Sequence, residues 1–352
     1  MRTAFAGLSM IWSGASTYDH KRWSSNATPC PLRTTLPAPN LWYDACMQTL
    51  TIGTRGSELA MIQTQLVIDA LTRAHPDLTC ETRQITTKGD TDHAPIPNSS
   101  VGKTWFTAEI ERALVQGEID LTVHSLKDLP LELPSRAYAA AVLPRDYPRD
   151  TLISKSGATL AELPKGAIVG TDSIRRKALL LHSRPDLVMR SIRDNVPVRL
   201  QKMEDEDYDA VVLAAAGLAR LGMLSRVAEI FDPMVFVPAV GQRTHAVEVY
   251  TDREDIQVIT KSLMEPETTL ATDIECVFAR TIGGGCKVPI GCYARFAEAQ
   301  IHISAMAGAL DPLNVQILHA TCPPDEAITR AQALAQELLQ DSQLRSQLQH
   351  HG

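Results

Sequence analysis

A polar cluster follows a strand-like segment in the first half of the chain. It consists of His124, Ser125, Lys127 and Asp128. Ligand sites of open α/β sheets lie at the carboxyl ends of strands, so these side chains are site candidates. A carboxylate beside a lysine can act as an acid/base group or hold a developing cation. The alternative is that Asp128, just before Leu129-Pro130, only forms a turn or a cap.

Arginines are gathered where predicted strands turn into predicted helices. Helix N-termini present free backbone N–H groups and a positive dipole end, and guanidinium groups there favour binding of a carboxylate or phosphate. In an acidic chain this pattern indicates a local site for a small polyanion. For any single arginine, the alternative is a surface salt bridge. The arginines concerned are Arg55, Arg175, Arg176, Arg193 and Arg199.

One cysteine stands in a setting that favours chemistry. Cys286 follows three consecutive glycines and precedes Lys287. The small backbone there lets a large group approach the sulfur, and the lysine favours the thiolate. The alternative is an inert cysteine in a buried loop.

Two further patterns fail their geometric requirements. Residues 101–104 end like a phosphate-binding P-loop, but Pro97 stands where that loop needs a glycine. No Cys-x-x-Cys or His-x-x-x-His pair accompanies Cys286 and Cys292, so no metal site is predicted.

The elements that must position these side chains alternate between strands and helices from residue 49 onward. This alternation predicts an α/β fold. The first predicted helix follows a strand at 50–52 and has an apolar face of Leu59, Ile62, Leu66, Val67 and Ala70. Further predicted strands are 119–125, 167–171, 210–215, 300–307 and 315–321, and further predicted helices are 173–182, 269–281 and 325–347.

The composition and net charge of the chain restrict the class of protein and the partners that it can have. The chain has 352 residues, 44% of them hydrophobic and 21% charged, which indicates a soluble globular protein of two to three domains. The net charge of −7 does not favour nucleic acid or an anionic membrane surface as a partner. No apolar run approaches the roughly eighteen residues of a membrane span. The seven scattered cysteines favour a reducing compartment.

Two regions differ from the rest of the chain. Residues 1–46 lack hydrophobic periodicity and are expected to be an extension, either an organelle transit peptide or an addition to a cytosolic enzyme. Proline-containing crossings near 144–148 and 238–242 bracket a middle block and are predicted to be hinges between lobes.

Seven segments together resemble the porphobilinogen deaminase family, also called hydroxymethylbilane synthases. The resemblance runs in collinear order from about residue 50 to residue 293. Each segment alone is modestly specific, whereas seven in order are specific. The segments are IGTRGS (52–57), TTKGD (86–90), HSLKDLP (124–130), VGT (169–171) with Arg175 and Arg176, residues 209–222, PAVGQ (238–242) and GGCKVPIG (284–291).

The resemblance implies an α/β protein with two periplasmic-binding-protein-like lobes plus a smaller C-terminal α+β domain that carries the cysteine. It implies a domain 1 of residues 47–143 and 244–262, a domain 2 of residues 149–237, and a domain 3 of residues 266–352. We expect a monomer, because the sequence shows no coiled-coil seam and no large apolar face. The scattered cysteines favour the cytoplasm, and an organelle is the alternative if residues 1–46 are a transit peptide.

The implied activity belongs to porphyrin and heme biosynthesis. In the family a cysteine, here Cys286, forms a thioether to a dipyrromethane cofactor. Four porphobilinogen molecules are added to this primer with loss of ammonia, and water releases hydroxymethylbilane. The family's catalytic aspartate matches Asp128, expected to be a buried, ionised carboxylate that stabilises positive pyrrole nitrogens and shuttles a proton. Lys127 is the second catalytic candidate.

Each pyrrole bears acetate and propionate groups, so a growing chain requires local cations. Besides Cys286, the matched cofactor-binding positions are Lys127, Asp128, Ser173, Arg175 and Arg176. The matched substrate-binding positions are Arg55, Ser57, Gln63, Lys103, Arg193, Arg199 and Arg220.

Several positions depart from the family pattern, among them Thr104 and Trp105 in place of a glycine and a leucine. Ala108 replaces a basic residue, Asp172 replaces a serine, and Asp194 and Arg243 replace glycines. A glycine is replaceable where the backbone does not need positive φ or where the new residue accepts strain. These departures motivate an alternative function, a catalytically impaired two-lobed homologue that binds anions or pyrroles. A third possibility is an α/β transferase of another chemistry with a reactive Cys286.

Overall fold

The computed structural model describes residues 49–91, 107–129, 137–145, 147–283, 288–311, 313–342 and 344–346. The predicted extension, residues 1–46, lies outside these described residues. They form two five-stranded sheets and one three-stranded sheet. Strands and helices are numbered separately below, each in chain order.

The first sheet is a mixed sheet with the strand order β2-β1-β3-β10-β4. Its strands are β1 (Thr49–Thr54), β2 (Thr79–Gln84), β3 (Leu121–Ser125), β4 (Ala137–Val142) and β10 (His245–Tyr250). The first three strands are parallel, and β10 runs antiparallel to both of its neighbours. The strand β10, which is distant in sequence from the other four, therefore pairs with both β3 and β4 within this sheet.

The second sheet repeats this arrangement with the order β7-β6-β8-β5-β9. Its strands are β5 (Asp150–Ser154), β6 (Ile168–Gly170), β7 (Val188–Arg190), β8 (Ala210–Ala214) and β9 (Glu229–Ile230). Again three strands are parallel, and β5 pairs antiparallel with β8 and β9. The two sheets thus define two α/β lobes of like topology, as predicted.

The third sheet is antiparallel and is covered by two helices. It contains β11 (Ile290–Ala297), β12 (Gln300–Leu310) and β13 (Leu313–Cys322). Buried side chains of α8 (Pro266–Ile282) and α9 (Ala327–Leu338) share one apolar core with the sheet. This unit is the small C-terminal α+β domain that the resemblance implied.

The remaining helices follow strands of the two lobes, because parallel strands need crossover connections. They are α1 (Glu58–Ala74), α2 (Lys88–Thr91), α3 (Ala108–Val115), α4 (Ile174–Ser183), α5 (Val196–Asp205), α6 (Ala215–Arg220) and α7 (Glu254–Thr260).

Two details of the predicted helices are wrong. The predicted apolar face of α1 includes Leu66, which is 40% exposed. The buried residues of this helix are Val67, which was predicted, and Gln63, Thr64 and Leu71, which were not. The predicted helix 325–347 is too long, since α9 ends at Leu338. Shortly afterwards the Asp341 carboxylate accepts the Leu344 N–H at 3.0 Å, which begins a separate turn. A polar side chain that caps a new turn thus overrides a continuous helical pattern.

The chain crosses between the two lobes after β4 and again before β10, at the two proline-containing stretches. Both crossings are fastened to α8 through one buried carboxylate, Glu275. Arg145 donates to Glu275 Oε1 from Nη1 and to Oε2 from Nη2, each at 2.7 Å. The same carboxylate accepts the N–H of Gly241 at 2.8 Å and that of Ala294 at 2.9 Å. The third domain therefore braces both crossings.

Candidate active site

The predicted catalytic pair lies on the 3₁₀ turn Leu126–Asp128, directly after β3. The Leu126 N–H donates to the Thr244 carbonyl oxygen at 2.9 Å, which ties the turn to the second crossing. Gly241, in that crossing, has φ 66°, and a Cβ there would lie 2.8 Å from Leu126 Cγ. Turn and crossing therefore fit together only because residue 241 is glycine.

The environments of Asp128 and Lys127 differ. Asp128 is exposed, so the expectation of a buried carboxylate is wrong. Lys127 is only partly accessible, and the protein atoms around its ammonium group lower its pKa, while Asp128 opposes this effect. Arg175 and Arg176 also lower the pKa of Lys127. The lysine thus stands close to charged groups of the second lobe.

Those groups form a buried cluster around Asp150, a residue that the sequence interpretation missed. Arg175 and Arg176 each donate from Nη2 to one oxygen of Asp150 at 2.7 Å. Gln242 Nε2 adds a hydrogen bond at 3.0 Å. Burial alone would raise the pKa of Asp150, but the two guanidinium groups hold it well below the usual range. Asp150 is therefore ionised and orients both arginines.

Backbone acceptors fix the arginines further. Arg175 Nη1 donates to the Val237 carbonyl oxygen at 2.7 Å, and Arg176 Nη1 donates to that of Val212 at 2.9 Å. Among the described residues, no group accepts from the buried Arg175 Nε. This donor is suited to an anionic group of a ligand.

The predicted serines begin helices. Ser57 accepts the Ala60 N–H at 3.4 Å at the start of α1, and Ser173 accepts the Arg176 N–H at 3.4 Å at the start of α4. Each serine is the N-cap residue of its helix. These helix starts confirm the local pattern that placed arginines beside helix N-termini.

Arg199 joins the same electrostatic neighbourhood. Burial lowers its pKa, Arg176 lowers it further, and Asp172, Asp194 and Asp128 oppose the shift. Its Nε donates to the Asp194 carbonyl oxygen at 2.6 Å. Groups from both lobes therefore face one another across the carboxyl ends of β3 and β6.

Two predicted substrate-binding arginines are already paired with carboxylates. Arg55 pairs with Asp90, which also accepts from the Thr87 hydroxyl at 2.7 Å. Arg193 donates from Nε to Asp172 at 2.6 Å. Asp172 is one of the positions at which the resemblance implied a serine. Both arginines are held in place by the protein itself.

The two replaced glycines keep glycine-like backbones. Asp194 has φ 95° and Arg243 has φ 73°. The side chain of Asp194 is anchored by Lys202 Nζ at 2.6 Å. Both residues therefore accept the strain, the second of the two routes by which glycine could be replaced.

Gln63 and Arg220 complete the described candidates. Gln63 Nε2 donates to the Ser125 hydroxyl at 3.0 Å, which connects α1 to the end of β3. Arg220 ends α6, close to His245. Burial, with Arg220 and Arg243, lowers the pKa of His245 to about 3, so this imidazole is neutral.

Comparison with known proteins shows the family to which the chain belongs. A family model described as "Porphobilinogen deaminase, dipyromethane cofactor binding domain" matches residues 50–258, and the C-terminal domain model of the same family matches residues 269–340. The chain belongs to the porphobilinogen deaminase family. The porphobilinogen deaminase of Roseiflexus sp. (strain RS-1) is 44% identical over 292 residues, which are 83% of this chain and 96% of that protein. The porphobilinogen deaminase of Syntrophomonas wolfei is 40% identical, over 84% of this chain and 96% of that protein.

Solved structures with more distant sequences were also found. A YaeC-family lipoprotein from Enterococcus faecalis has a TM-score of 0.39 and 15% identity, over 63% of this chain and 93% of that one. A TRAP periplasmic solute binding protein from Desulfovibrio salexigens has a TM-score of 0.39 and 11% identity, over 66% and 77%.

The described residues fit the cofactor of the family. The porphobilinogen deaminase domain for dipyrromethane covers the turn with Lys127 and Asp128 as well as the Asp150 cluster. The unpartnered Arg175 Nε offers a buried donor to a carboxylate. A Cβ at Gly291 would lie 3.2 Å from Arg175 Cδ, so the start of β11 packs against this arginine. Cys286 and Lys103 lie outside the described residues.

Among the described residues, no group of three or more histidine, cysteine or carboxylate side chains is arranged to hold a metal ion. Within the same residues, each helix is too short or too polar to cross a bilayer.

Proposed function

We propose that this chain is a hydroxymethylbilane synthase, a transferase that condenses four porphobilinogen molecules head to tail. Each step breaks the C–N bond of an aminomethyl group, releases ammonia and forms one carbon–carbon bond, and water finally releases hydroxymethylbilane. The observation that carries the proposal is the apposition of the Lys127–Asp128 turn and the Asp150 cluster in a chain of this family.

The proposal assigns the cofactor to the same region. Dipyrromethane, attached through Cys286, would supply the pyrrole carbon to which the first porphobilinogen is joined. Arg175, Arg176 and Lys127 would bind its carboxylates, with Ser173 and Asp128 beside them. Asp150 would keep both arginines in the required orientation, because it accepts from both at 2.7 Å.

Asp128 would act on the incoming substrate. Its exposure lets a small molecule reach it. Its carboxyl group would deliver a proton to the leaving amine, and its carboxylate would then stabilise positive charge on the substrate's pyrrole nitrogen. The substrate's acetate and propionate groups would bind to Arg55, Ser57, Gln63, Lys103, Arg193, Arg199 and Arg220.

Ammonia release on addition of porphobilinogen tests the activity. The isosteric change Asp128→Asn should lower the rate at least about 100-fold, the usual contribution of a positioned acid/base group. Asp69→Asn, an exposed position on α1 of the same lobe, is the matched control. A full rate in Asp128→Asn would refute the assigned role.

Intact mass of the purified protein tests the cofactor. The proposal expects a mass above that of the bare polypeptide, and Cys286→Ser should remove the increment. A bare mass that stays unchanged after incubation with porphobilinogen would refute covalent attachment.

One observation favours the second candidate function, an impaired homologue that binds pyrroles or anions without turnover. Asp172 pairs with Arg193 at 2.6 Å and brings negative charge to a predicted substrate-binding position. This candidate predicts saturable porphobilinogen binding without ammonia release, and binding that survives Asp128→Ala. Asp172→Ser should then increase the affinity for the substrate.

The proposal also includes a cytoplasmic monomer whose partner is the small-molecule substrate rather than nucleic acid or a membrane. Light scattering on the purified full-length chain tests the oligomeric state. A dimer mass at micromolar concentration would correct this part and leave the assigned chemistry intact.

A further inference from the structure

A cavity lies beside the first crossing, and none of the candidate active-site residues lines it. Its volume is about 540 Å³, and it is bounded by the first crossing, the segment after β9 and the sheet of the third domain. That volume is within the range of small-molecule sites. Its polar lining consists of Arg145, Arg149, Arg295, Tyr147, Tyr293 and Asp232.

Arg145 shapes the cavity but is already committed. Both of its Nη groups donate to Glu275 at 2.7 Å. Its guanidinium carbon lies 5.7 Å from the centre of the Tyr293 ring. Arg145 therefore holds the tyrosine at the cavity wall and contributes little net charge.

Arg149 and Arg295 supply the available charge. Both residues are exposed, and within the described part of the chain neither has a carboxylate partner. Arg149, Arg295 and Tyr293 line the same cavity. Burial raises the pKa of the Tyr293 hydroxyl, and both guanidinium groups oppose this increase. Two cations and a hydroxyl donor from the first crossing and β11 therefore line one cavity.

The opposing charge in the lining is Asp232. Its Oδ1 accepts the Met234 N–H at 2.9 Å, so the carboxylate is engaged with its own backbone turn. With Arg145 neutralised by Glu275, two cations face one anion. The cavity therefore favours a negatively charged ligand.

We propose that this cavity binds a small multivalent oxyanion between Arg149 and Arg295, with Tyr293 as a further donor. Guanidinium forks match the geometry of phosphate and carboxylate groups. The site is separate from the proposed active site and does not depend on the proposed activity. A link to that site exists, because the Pro148 carbonyl at the cavity wall accepts from Gln242 Nε2 at 2.6 Å, and Gln242 also binds Asp150.

Calorimetric titration of the full-length protein tests the site, with inorganic pyrophosphate and citrate as separate probes. We expect one molecule bound per chain for at least one probe. The double variant Arg149→Gln/Arg295→Gln should weaken that binding by at least about tenfold, since two charge-assisted contacts are lost. Binding of pyrophosphate alone assigns a phosphate ligand, and binding of citrate alone assigns a polycarboxylate.

Two controls locate the binding. Arg330→Gln removes the same charge from an exposed position on α9 and should leave the affinity unchanged. Arg199→Gln alters the proposed active site and should also leave the affinity for the probe unchanged. The proposal is overturned if neither probe binds at millimolar concentration, if the double variant binds like the parent, or if Arg199→Gln abolishes binding. The single variants give the same test if the double variant fails to fold.

Discussion

The buried Asp150 offers the sharpest test of how the candidate site is held together. It accepts from Arg175 Nη2 at 2.7 Å, from Arg176 Nη2 and Nε at 2.7 and 3.2 Å, and from Gln242 Nε2 at 3.0 Å. Asp150→Asn keeps the shape, removes the charge and places an amide donor against guanidinium donors. Two buried guanidinium groups then lose their counter-ion. Breaking a buried ion pair costs about 3 to 5 kcal/mol, and we expect a loss of this size here.

Urea titration followed by far-ultraviolet circular dichroism measures this loss. The matched control is Asp205→Asn, because Asp205 is exposed and accepts only from Gln201 Nε2, at 2.9 Å to each oxygen, among the described contacts. Its stability should change by no more than about 0.5 kcal/mol. If Asp150→Asn costs less than about 1 kcal/mol, the buried cluster does not depend on this charge, and the reasoning is refuted.

The pH dependence of the same residue follows from its lowered pKa. A carboxyl group whose pKa is lower in the folded than in the unfolded state stabilises the fold above its unfolded value, about 3.9 for Asp. That contribution disappears as the pH falls further, through the folded-state pKa. The free energy of unfolding of the parent should therefore fall more between pH 5 and pH 3 than that of Asp150→Asn. These two pH values lie about one unit above and about one unit below the unfolded pKa. Equal losses in the two proteins would contradict the ionised state of Asp150.

Three further changes have expected outcomes. Glu275→Gln leaves Arg145 buried without its counter-ion and should lower the free energy of unfolding by about 3 kcal/mol, measured by urea titration. Gly241→Ala adds a Cβ 2.8 Å from Leu126 Cγ at φ 66°, and should lower the melting temperature and the rate of ammonia release together. Asp194→Gly relieves strain of about 1 kcal/mol at φ 95°, and should raise the melting temperature in a thermal scan.

Local features of the fold were predictable because they depend on neighbouring residues. The strand that ends at Ser125 and the helix that begins after Ser173 follow from hydrophobic period and capping chemistry over a few residues. The strands β12 and β13 and the helix α8 followed in the same way from local patterns, whereas the C-terminal domain as a unit was implied by the family resemblance. These patterns involve residues that are close together in the chain, so they can be recognised in a single sequence.

Pairings over long sequence distances were not predictable from those patterns. Asp150 lies 25 residues before Arg175, and Arg145 lies 130 residues before Glu275. Each carboxylate is buried because elements that are distant in sequence pack around it. The residues next to it in the chain do not predict that packing. The signal that was present for Asp150 is its place between a proline-rich crossing and an apolar strand. A carboxylate at such a position is buried between the lobes and therefore requires a cationic partner.

Most cations of the candidate site are paired with carboxylates of the protein itself, which limits the positive charge available to a ligand. An acidic chain of net charge −7 concentrates cations at the ends of β3 and β6, yet most of them already have internal partners. Asp150 neutralises one of the two charges that Arg175 and Arg176 carry, so the cluster keeps one positive charge, to which Lys127 adds a second when protonated. Burial lowers the pKa of Lys127, so an anion bound nearby favours its protonation. The positive charge available to a ligand is therefore set by the internal carboxylates as much as by the arginines.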